Sequence, residues 1–298
     1  MPAGSNWKGS HWAWKAQIDV YVARLTNILA FVSDPAAPHS PSNQPDFSPG
    51  DVEQHNREIY ENQRHWERKP ELREEYSKFY ATVAENLPPA ELGAVLECGS
   101  GIGNLKSVIP HAITSDLFPN PWLDRQENIY ALKSDNASLG AIVLFDVFHH
   151  LRYPGTALDE LSRVLKPGGR AILVEPAAGL LGRIALGLFH HEPLALRQPI
   201  VWSAPANFDP NSVDYYAAQG NATRIFHPRQ PERPRLAGWN IVRVEYLPAL
   251  PWIMTGGFRG PNLNRSIFKP IWRGIDALLR LAPRFFASRM IVVLEKQP

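Results

Sequence analysis

The chain has 298 residues, of which 44% are hydrophobic, so it is long enough for one large α/β domain with additions or for two small domains. The formal charge of +2 and the pI of 8.6 are too balanced for a nucleic-acid-binding protein, and no dense Lys/Arg run appears. The single cysteine, Cys98, excludes an intramolecular disulfide and fits a cytoplasmic location. No apolar stretch is long enough to predict a membrane span, and the N-terminus lacks the apolar core of an export signal.

The first 90 residues predict a helical extension that precedes the main domain. Apolar side chains recur at helical spacing over residues 12–31, which predicts an amphipathic, Trp-rich helix. Residues 33–50 are rich in proline and predict a linker, and residues 51–87 predict one or two polar helices. These polar helices are either a solvated cover or a lid over a ligand. The Trp-rich helix packs on the main domain in the favoured interpretation, and a weak contact with a membrane surface is the alternative.

Strands and helices alternate from Ala94 onward, in the order of an open α/β sheet. The predicted strands of this part cover residues 94–97, 111–115, 128–131, 141–147 and 170–174. A short helix up to Ile109 follows the first strand, and another helix covers residues 156–165.

The rest of the chain predicts a cap and the end of the sheet. Residues 91–298 form one domain in this interpretation, with a cap insertion at about 177–238 that begins with a helix at 179–189. Strands are predicted at 240–246 and 289–295, with an amphipathic helix at 267–281 between them. A late helix followed by a terminal strand suits a sheet of seven strands that a hairpin closes.

A glycine-rich turn follows the first strand. Gly99, Gly101 and Gly103 have the order G-x-G-x-G, in which glycine lets a ligand approach the backbone and the next helix start offers unpaired N–H groups. Asp116 lies 19 residues after Glu97, at the end of the second strand, where a carboxylate can accept hydrogen bonds from a ribose. A dinucleotide fingerprint would have the order G-x-G-x-x-G. The observed spacing, with Glu97 before it, favours a cationic nucleoside without a pyrophosphate.

Four motifs between Ala94 and Pro176 resemble those of the class I S-adenosylmethionine-dependent methyltransferases, in the small-molecule (type 11-like) branch. They are LECGSGIG at 96–103, SD at 115–116, FDVFHHL at 145–151 and LKPGGRAILVEP at 165–176. The resemblance implies a Rossmann-like α/β fold, which is a seven-stranded, mostly parallel sheet with helices on both faces and an antiparallel last strand. It also implies S-adenosyl-L-methionine as the cofactor.

The resemblance further implies that the turn contacts the methionine part of the cofactor and that Asp116 contacts its ribose. The predicted cofactor contacts are Glu97, Cys98, Gly99, Ser100, Gly101, Gly103, Asp116, Leu117, Asn128 and Asp146. Two positions depart from the family pattern. Asn128 stands where an aspartate near the adenine amine is usual, and Gly140 stands where an acidic residue usually precedes the fourth strand. Asn128 can still accept the adenine hydrogen bond through its carbonyl oxygen.

The predicted catalytic residues are His149, Glu175 and His150. His149 and Glu175 follow adjacent parallel strands, so both are expected to face one crevice, and a histidine oriented by a carboxylate can remove a proton from a hydroxyl. In the alternative interpretation, the two histidines only cap the strand and pack against the next helix. Residues 189–193 (FHHEP) add further ligand types, but their spacing matches no standard site, and no metal is predicted. Since this segment follows the fifth strand on the binding side, His191 or Glu192 is expected to face the substrate instead.

The sequence therefore predicts a cytoplasmic methyltransferase that acts on a small-molecule, glycan-type or lipid-type acceptor, with oxygen as the favoured methylated atom. Two alternatives stay open. One is a nicotinamide-dependent oxidoreductase on a similar sheet, and the other is a catalytically silent scaffold protein that binds S-adenosylmethionine. The sequence does not predict the acceptor or the oligomeric state.

Overall fold

The computed structural model describes residues 49–190, 192–210, 216–228 and 233–298. The helix predicted at 12–31, nearly all of the linker and His191 lie outside these described residues. The first described elements are the helices α1 (Pro49–Arg68) and α2 (Pro70–Glu85). Pro70 separates them, because proline lacks the N–H of a continuous helix but is well accepted in the first turn of a new one.

Within the described residues, seven strands form one sheet in the order β3-β2-β1-β4-β5-β7-β6. The first five strands are parallel to one another, and β7 lies antiparallel between β5 and β6. The strands are β1 (Ala94–Cys98), β2 (Ile113–Asp116), β3 (Arg125–Gln126), β4 (Leu139–Phe145), β5 (Leu165–Pro176), β6 (Trp239–Leu247) and β7 (Arg289–Lys296). This arrangement confirms the predicted Rossmann-like α/β fold.

Helices cover both faces of the sheet. On one face α2 buries Leu72 and Phe79 against the strands, and on the other Phe226 packs against Phe148, with ring centroids 5.2 Å apart. The further helices are α3 (Pro154–Val164), α4 (Leu180–Phe189), α5 (Asn221–Phe226), α6 (Leu250–Met254), α7 (Lys269–Leu279) and α8 (Pro283–Phe286). No helix in the described part of the chain has both the length and the apolar character needed to cross a membrane.

The carboxyl ends of the central parallel strands meet at one edge of the sheet. Cys98 at the end of β1 pairs with Ser115 on one side and with Leu144 on the other. Because β7 runs in the opposite direction, its first residue, Arg289, reaches the same edge and pairs with Pro176. Open α/β sheets bind their ligands along this edge.

The prediction of an α-helix after the glycine-rich turn is wrong. The structure has a single 3₁₀ turn there, Asn104–Ser107. Only six residues separate Gly103 from Pro110, which is fewer than two turns of an α-helix.

The third strand also differs from the prediction, because it comes before residues 128–131. The side-chain oxygen of Asn128 accepts a hydrogen bond from the N–H of Tyr130 at 2.9 Å, and Asn128 forms one isolated bridge with Ala131. An asparagine that bonds the backbone two residues on favours a turn over a strand. The strand therefore ends at Gln126.

Gly140 lies inside β4, beside Gly93, rather than before the strand. A Cβ atom at position 140 would be 2.9 Å from both the N and the O atom of Gly93. This close approach of two backbones explains why no acidic side chain occupies the position.

Gly140→Ala should lower the free energy of unfolding by about 1–3 kcal/mol, because the added methyl group overlaps the neighbouring backbone. Gly274→Ala is the matched control. Gly274 lies in α7, where nothing is within 4 Å of a Cβ atom, so alanine should raise the free energy of unfolding by about 0.5–1 kcal/mol. Urea denaturation measures both changes, and two changes of the same sign would contradict the packing explanation.

Candidate active site

The glycine-rich turn leaves β1 through three left-handed residues. The angle φ is +71° at Gly99, +53° at Gly101 and +69° at Gly103, a region that other residues rarely adopt. Space is also restricted, since a Cβ atom on Gly99 would be 2.3 Å from Val147 Cγ2 and one on Gly103 would be 2.8 Å from the carbonyl oxygen of Trp122. The G-x-G-x-G spacing is therefore required by the shape of this turn.

Glu97 is buried at the end of β1 with one unsatisfied oxygen. The residue is 2% exposed, and no hydrogen-bond partner among the described residues reaches its Oε2 atom. Burial raises the pKa of Glu97 to about 8; the Ser100 hydroxyl acts in the opposite direction, and the charge of Asp116 raises the pKa further. A buried acid of this kind gains its charge most readily when a cation binds beside it.

Asp116 ties the turn to β2. Its Oδ2 atom accepts a hydrogen bond from the N–H of Gly101 at 2.9 Å, and its Oδ1 atom accepts one from the N–H of Leu117 at 2.7 Å. Ser100 adds a second link, because its N–H donates to the carbonyl oxygen of Ser115 at 2.8 Å. The structure therefore places Asp116 beside the turn, as the predicted ribose contact requires.

Two other predicted cofactor contacts have clear structural roles. The amide of Asn128 donates a hydrogen bond to the carbonyl oxygen of Pro210, while its oxygen closes the turn at Tyr130. Cys98 is 4% exposed, and burial raises the pKa of its thiol to about 12, so it is packed as a neutral thiol. Contacts of either residue with a cofactor stay predictions.

Asp146, a further predicted cofactor contact, pairs with a buried arginine that sequence analysis missed. Asp146 has a φ of +58°, and its Oδ1 atom lies 2.5 Å from Arg289 Nη1. The guanidinium group lies over the rings of Trp252 and Phe145, at 4.8 and 5.2 Å from their centroids. Its Nε and Nη2 atoms have no hydrogen-bond partner among the described residues. The available signal was an arginine at the start of an otherwise apolar strand.

Helices α1 and α2 lie over this edge of the sheet. The Cδ1 atom of Ile59 is 3.7 Å from the place where a Cβ atom of Gly101 would stand. On α2, the ring of Tyr76 stacks on Phe145 at the end of β4, with centroids 5.2 Å apart. These helices therefore cover both the turn and the neighbouring strand end.

Glu175 holds the turn that follows β4. It is fully buried, and its carboxylate accepts hydrogen bonds from the N–H groups of Val147, Phe148 and His149 at 3.0, 2.7 and 3.2 Å. The Nδ1 atom of His149 lies 2.7 Å from Glu175 Oε2. The pairing of His149 with Glu175 that the sequence predicts is therefore present.

The two adjacent histidines have opposite electrostatic environments. Burial lowers the pKa of His149, but the charge and hydrogen bond of Glu175, together with the nearby carboxylate of Glu192, outweigh it and raise the pKa to about 10. Burial and the charge of His149 lower the pKa of His150 to about 4. The environment of His149 therefore favours its protonated form, and that of His150 favours its neutral form. A proton held tightly on His149 opposes its predicted action as a general base, which stays a prediction.

Glu192 joins this pair from the segment after α4. Its two carboxylate oxygens each face one histidine, with Oε2 at 3.7 Å from His149 Nε2 and Oε1 at 3.7 Å from His150 Nε2. The side-chain amide of Gln219 donates a hydrogen bond to Oε2, and His190 Nδ1 lies 3.7 Å from the same oxygen. Glu192 is 8% exposed. We refer to His149, His150 and Glu192 below as the histidine–glutamate cluster.

Val147 connects the histidine–glutamate cluster to the glycine-rich turn. Its side chain borders Gly99, and its N–H is held by Glu175. The cluster therefore begins two residues beyond a side chain that borders the turn. The structure brings the predicted catalytic residues and the turn to the same edge of the sheet.

Comparison with known proteins identifies part of the chain. A family model described as "Methyltransferase domain" matches residues 96–173. This match includes the glycine-rich turn, Asp116 and both histidines, and it ends before Glu175 and Glu192. Among curated proteins, none matches the sequence of this chain.

Solved structures that are similar to the chain include three methyltransferase structures. The complex of the Haloferax volcanii Trm112 methyltransferase activator with a methyltransferase has 13% identity and a TM-score of 0.48, over 83% of this chain and 97% of that one. Geranyl diphosphate C-methyltransferase from Streptomyces coelicolor has 14% identity and a TM-score of 0.44, over 74% and 80%. An S-adenosylmethionine-dependent methyltransferase from Thermotoga maritima has 14% identity and a TM-score of 0.45, over 80% and 99%. Such distant similarities carry no information about a substrate.

Glu175→Gln should lower the free energy of unfolding by about 3–5 kcal/mol, because it leaves His149 and three buried N–H groups without a full acceptor. Glu295→Gln is the matched control. Glu295 pairs with Arg170 at 3.0 Å, but its side chain is 28% exposed, so its loss should change stability by less than about 1 kcal/mol. Chemical denaturation without added ligands compares the two, and similar small effects would show that Glu175 does not hold the turn.

Proposed function

We propose that this chain, which carries a class I S-adenosylmethionine-dependent methyltransferase domain, transfers the methyl group to an oxygen atom of a small-molecule acceptor. The observation that carries the cofactor assignment is the combination of a left-handed glycine turn with a buried acid, Glu97, one oxygen of which has no hydrogen-bond partner among the described residues. A cofactor with a cationic amino acid part fits this pair of features. The pyrophosphate of a dinucleotide would instead be repelled by the carboxylate of Glu97.

The residues at the turn would hold S-adenosylmethionine in two parts. Glu97 faces the methionine side, where its ionised carboxylate can pair with the α-ammonium group. Asp116, whose carboxylate lies beside Gly101, would accept hydrogen bonds from the ribose. When bound, the cofactor supplies an electrophilic methyl group on its sulfonium. Helices α1 and α2 form the described part of the lid, since they cover the turn.

The histidine–glutamate cluster would bind the acceptor. It lies at the same edge as the turn, and this proximity is what an in-line methyl transfer requires. His149 can donate a hydrogen bond from Nε2 to an acceptor oxygen, and Glu175 fixes its ring. The side chain of His150 is 34% exposed, so it would contact the acceptor hydroxyl. Its lowered pKa makes it a weak base, so solvent water would take up the hydroxyl proton during methyl transfer.

Calorimetry with S-adenosylmethionine, S-adenosylhomocysteine and NADH tests the cofactor. Both sulfur nucleotides should bind with Kd values of about 100 μM or tighter, and NADH should not bind. Asp116→Asn should weaken binding at least about tenfold through the lost charged hydrogen bonds, whereas the exposed-loop control Asp135→Asn should not.

Transfer of a radiolabelled methyl group to a panel of hydroxyl compounds then tests the reaction. Methylation at oxygen that His150→Ala reduces would support the acceptor assignment. Failure of both sulfur nucleotides to bind would refute the proposed function. Binding without any methylation across the panel would favour the scaffold alternative.

The affinity for S-adenosylhomocysteine should rise with pH up to about 8, because the pKa of Glu97, raised by burial, keeps this acid protonated at lower pH. Binding the ammonium group expels that proton, so affinity should increase by up to about tenfold per pH unit. Calorimetry in buffers of different ionisation enthalpy counts the released proton. Glu97→Gln should bind more weakly at pH 8 and lose the part of the slope due to this residue. An unchanged slope in Glu97→Gln would contradict the assignment.

The unliganded variant provides a control for folding. The pKa of Glu97 lies above its ordinary value in the folded state, so ionisation destabilises the fold as pH rises toward 8. Glu97→Gln removes this effect and should raise the free energy of unfolding at pH 7 by no more than about 4 kcal/mol. Weaker binding in a protein that is at least as stable therefore separates recognition from folding.

A further inference from the structure

The histidine–glutamate cluster has the arrangement of a metal site, although its sequence spacing matches no standard one. Ligand atoms of His149, His150 and Glu192 all lie within 4.8 Å of one another. Each nitrogen–oxygen distance of 3.7 Å is too long for a hydrogen bond. Two ligands of one zinc ion, each at about 2.1 Å, are separated by no more than about 4.2 Å. The two nitrogen–oxygen pairs are within this limit, and the widest pair has to contract slightly.

The outer hydrogen bonds of both rings have the pattern that metal-binding histidines show. The Nδ1 atom of His149 bonds the carboxylate of Glu175 at 2.7 Å, and the Nδ1 atom of His150 bonds the carbonyl oxygen of Tyr216 at 2.9 Å. Histidine ligands characteristically donate one ring N–H to a carboxylate or a backbone carbonyl, which directs the other nitrogen to the metal. Here both Nε2 atoms are directed at the same carboxylate, that of Glu192.

The surrounding chain holds this arrangement in place. The N–H of Ala218 donates to the carbonyl oxygen of His149 at 2.9 Å, and the N–H of Gln219 donates to that of Pro193 at 3.1 Å. The side-chain oxygen of Gln219 is buried and has no hydrogen-bond partner among the described residues, although it belongs to the amide that contacts Glu192. An unsatisfied oxygen at the rim of the cluster is a further polar group that a cation would stabilise.

We propose that His149, His150 and Glu192 bind a divalent transition-metal ion of the zinc type. Two imidazoles and one carboxylate suit Zn²⁺ and neighbouring transition metals, whereas Mg²⁺ and Ca²⁺ prefer sites made of oxygen ligands. Three protein ligands leave at least one coordination position open, which is the arrangement of catalytic rather than structural zinc sites. Glu175 acts as a positioning residue, because it orients His149 without belonging to the ligand set.

Metal binding by this cluster does not depend on methyl transfer. Only the role of the metal in catalysis rests on the proposed function. A hydroxyl bound to such an ion passes its proton to water more readily than a free hydroxyl does. An acceptor oxygen placed at the open position would therefore become a better nucleophile, and solvent water would take up its proton. Zn²⁺ would displace the proton from His149 Nε2 as it binds. His149 and His150 would then act as metal ligands rather than as direct contacts of the acceptor.

Titration calorimetry of the full chain, stripped with a chelator, tests the site with Zn²⁺ and with Mg²⁺ in the absence of methyl donor. One Zn²⁺ should bind per chain, with at least about tenfold weaker binding of Mg²⁺. His150→Ala and Glu192→Gln should each weaken the Zn²⁺ site at least tenfold, and Co²⁺ should give visible absorption that these variants lose. His111→Ala, which removes an exposed histidine from a distant turn, should bind as the parent does.

Thermal unfolding without metal shows whether each variant is folded, and added Zn²⁺ should raise the melting temperature of the parent but not of Glu192→Gln. The proposal is overturned if the parent binds no Zn²⁺, or if folded His150→Ala and Glu192→Gln bind it as tightly as His111→Ala does. Because no methyl donor is present, these results are independent of whether the methyl transfer occurs.

Discussion

The carboxylate of Glu175 has to be stabilised by hydrogen-bond donors inside the protein, because water cannot reach it. Three backbone N–H groups and the ring of His149 do this, and all of them belong to the turn that leaves β4. One buried charge therefore determines the path of the chain from Val147 to His149. The contacts that the two histidines make, including those with Glu192, depend on that path. The same path brings Val147 against Gly99, so the position of the glycine-rich turn also depends on Glu175.

The sequence alone was sufficient for the features that one strand and its next few residues determine. Acidic residues directly after apolar runs predicted the strand ends, and Glu97, Asp116 and Glu175 all lie at the expected edge of the sheet. The pairing of His149 with Glu175 was also predictable. It requires only that two adjacent strands be parallel and in register, which their apolar runs and the helix between them indicate.

Features that depend on distant parts of the chain could not be predicted in this way. Arg289 reaches Asp146 only because the last strand is antiparallel, and sequence spacing does not specify its partner. The sequence predicted Glu192 on the binding side, but not what holds it there. The N–H of Ala218 bonds the carbonyl oxygen of His149, and the side chain of the next residue, Gln219, bonds Glu192, so the approach depends on residues far apart in sequence. The 3₁₀ turn after Gly103 was missed for another reason. A short segment between a left-handed residue and a proline does not allow helix periodicity to be tested.

The order of these elements along the chain has an evolutionary consequence. Glu192 and Gln219 are both supplied by the connection between β5 and β6, whereas Arg289 returns with the final strand to pair with Asp146. Recombination that replaced only this connection would exchange two groups around the histidines and leave the glycine-rich turn and the closing strand untouched. A truncation before β7 would have the opposite effect, since it would remove the partner of Asp146 as well as the antiparallel strand that joins β5 to β6. The groups around the two histidines can therefore change by exchange of an internal segment, without changes at either end of the sheet.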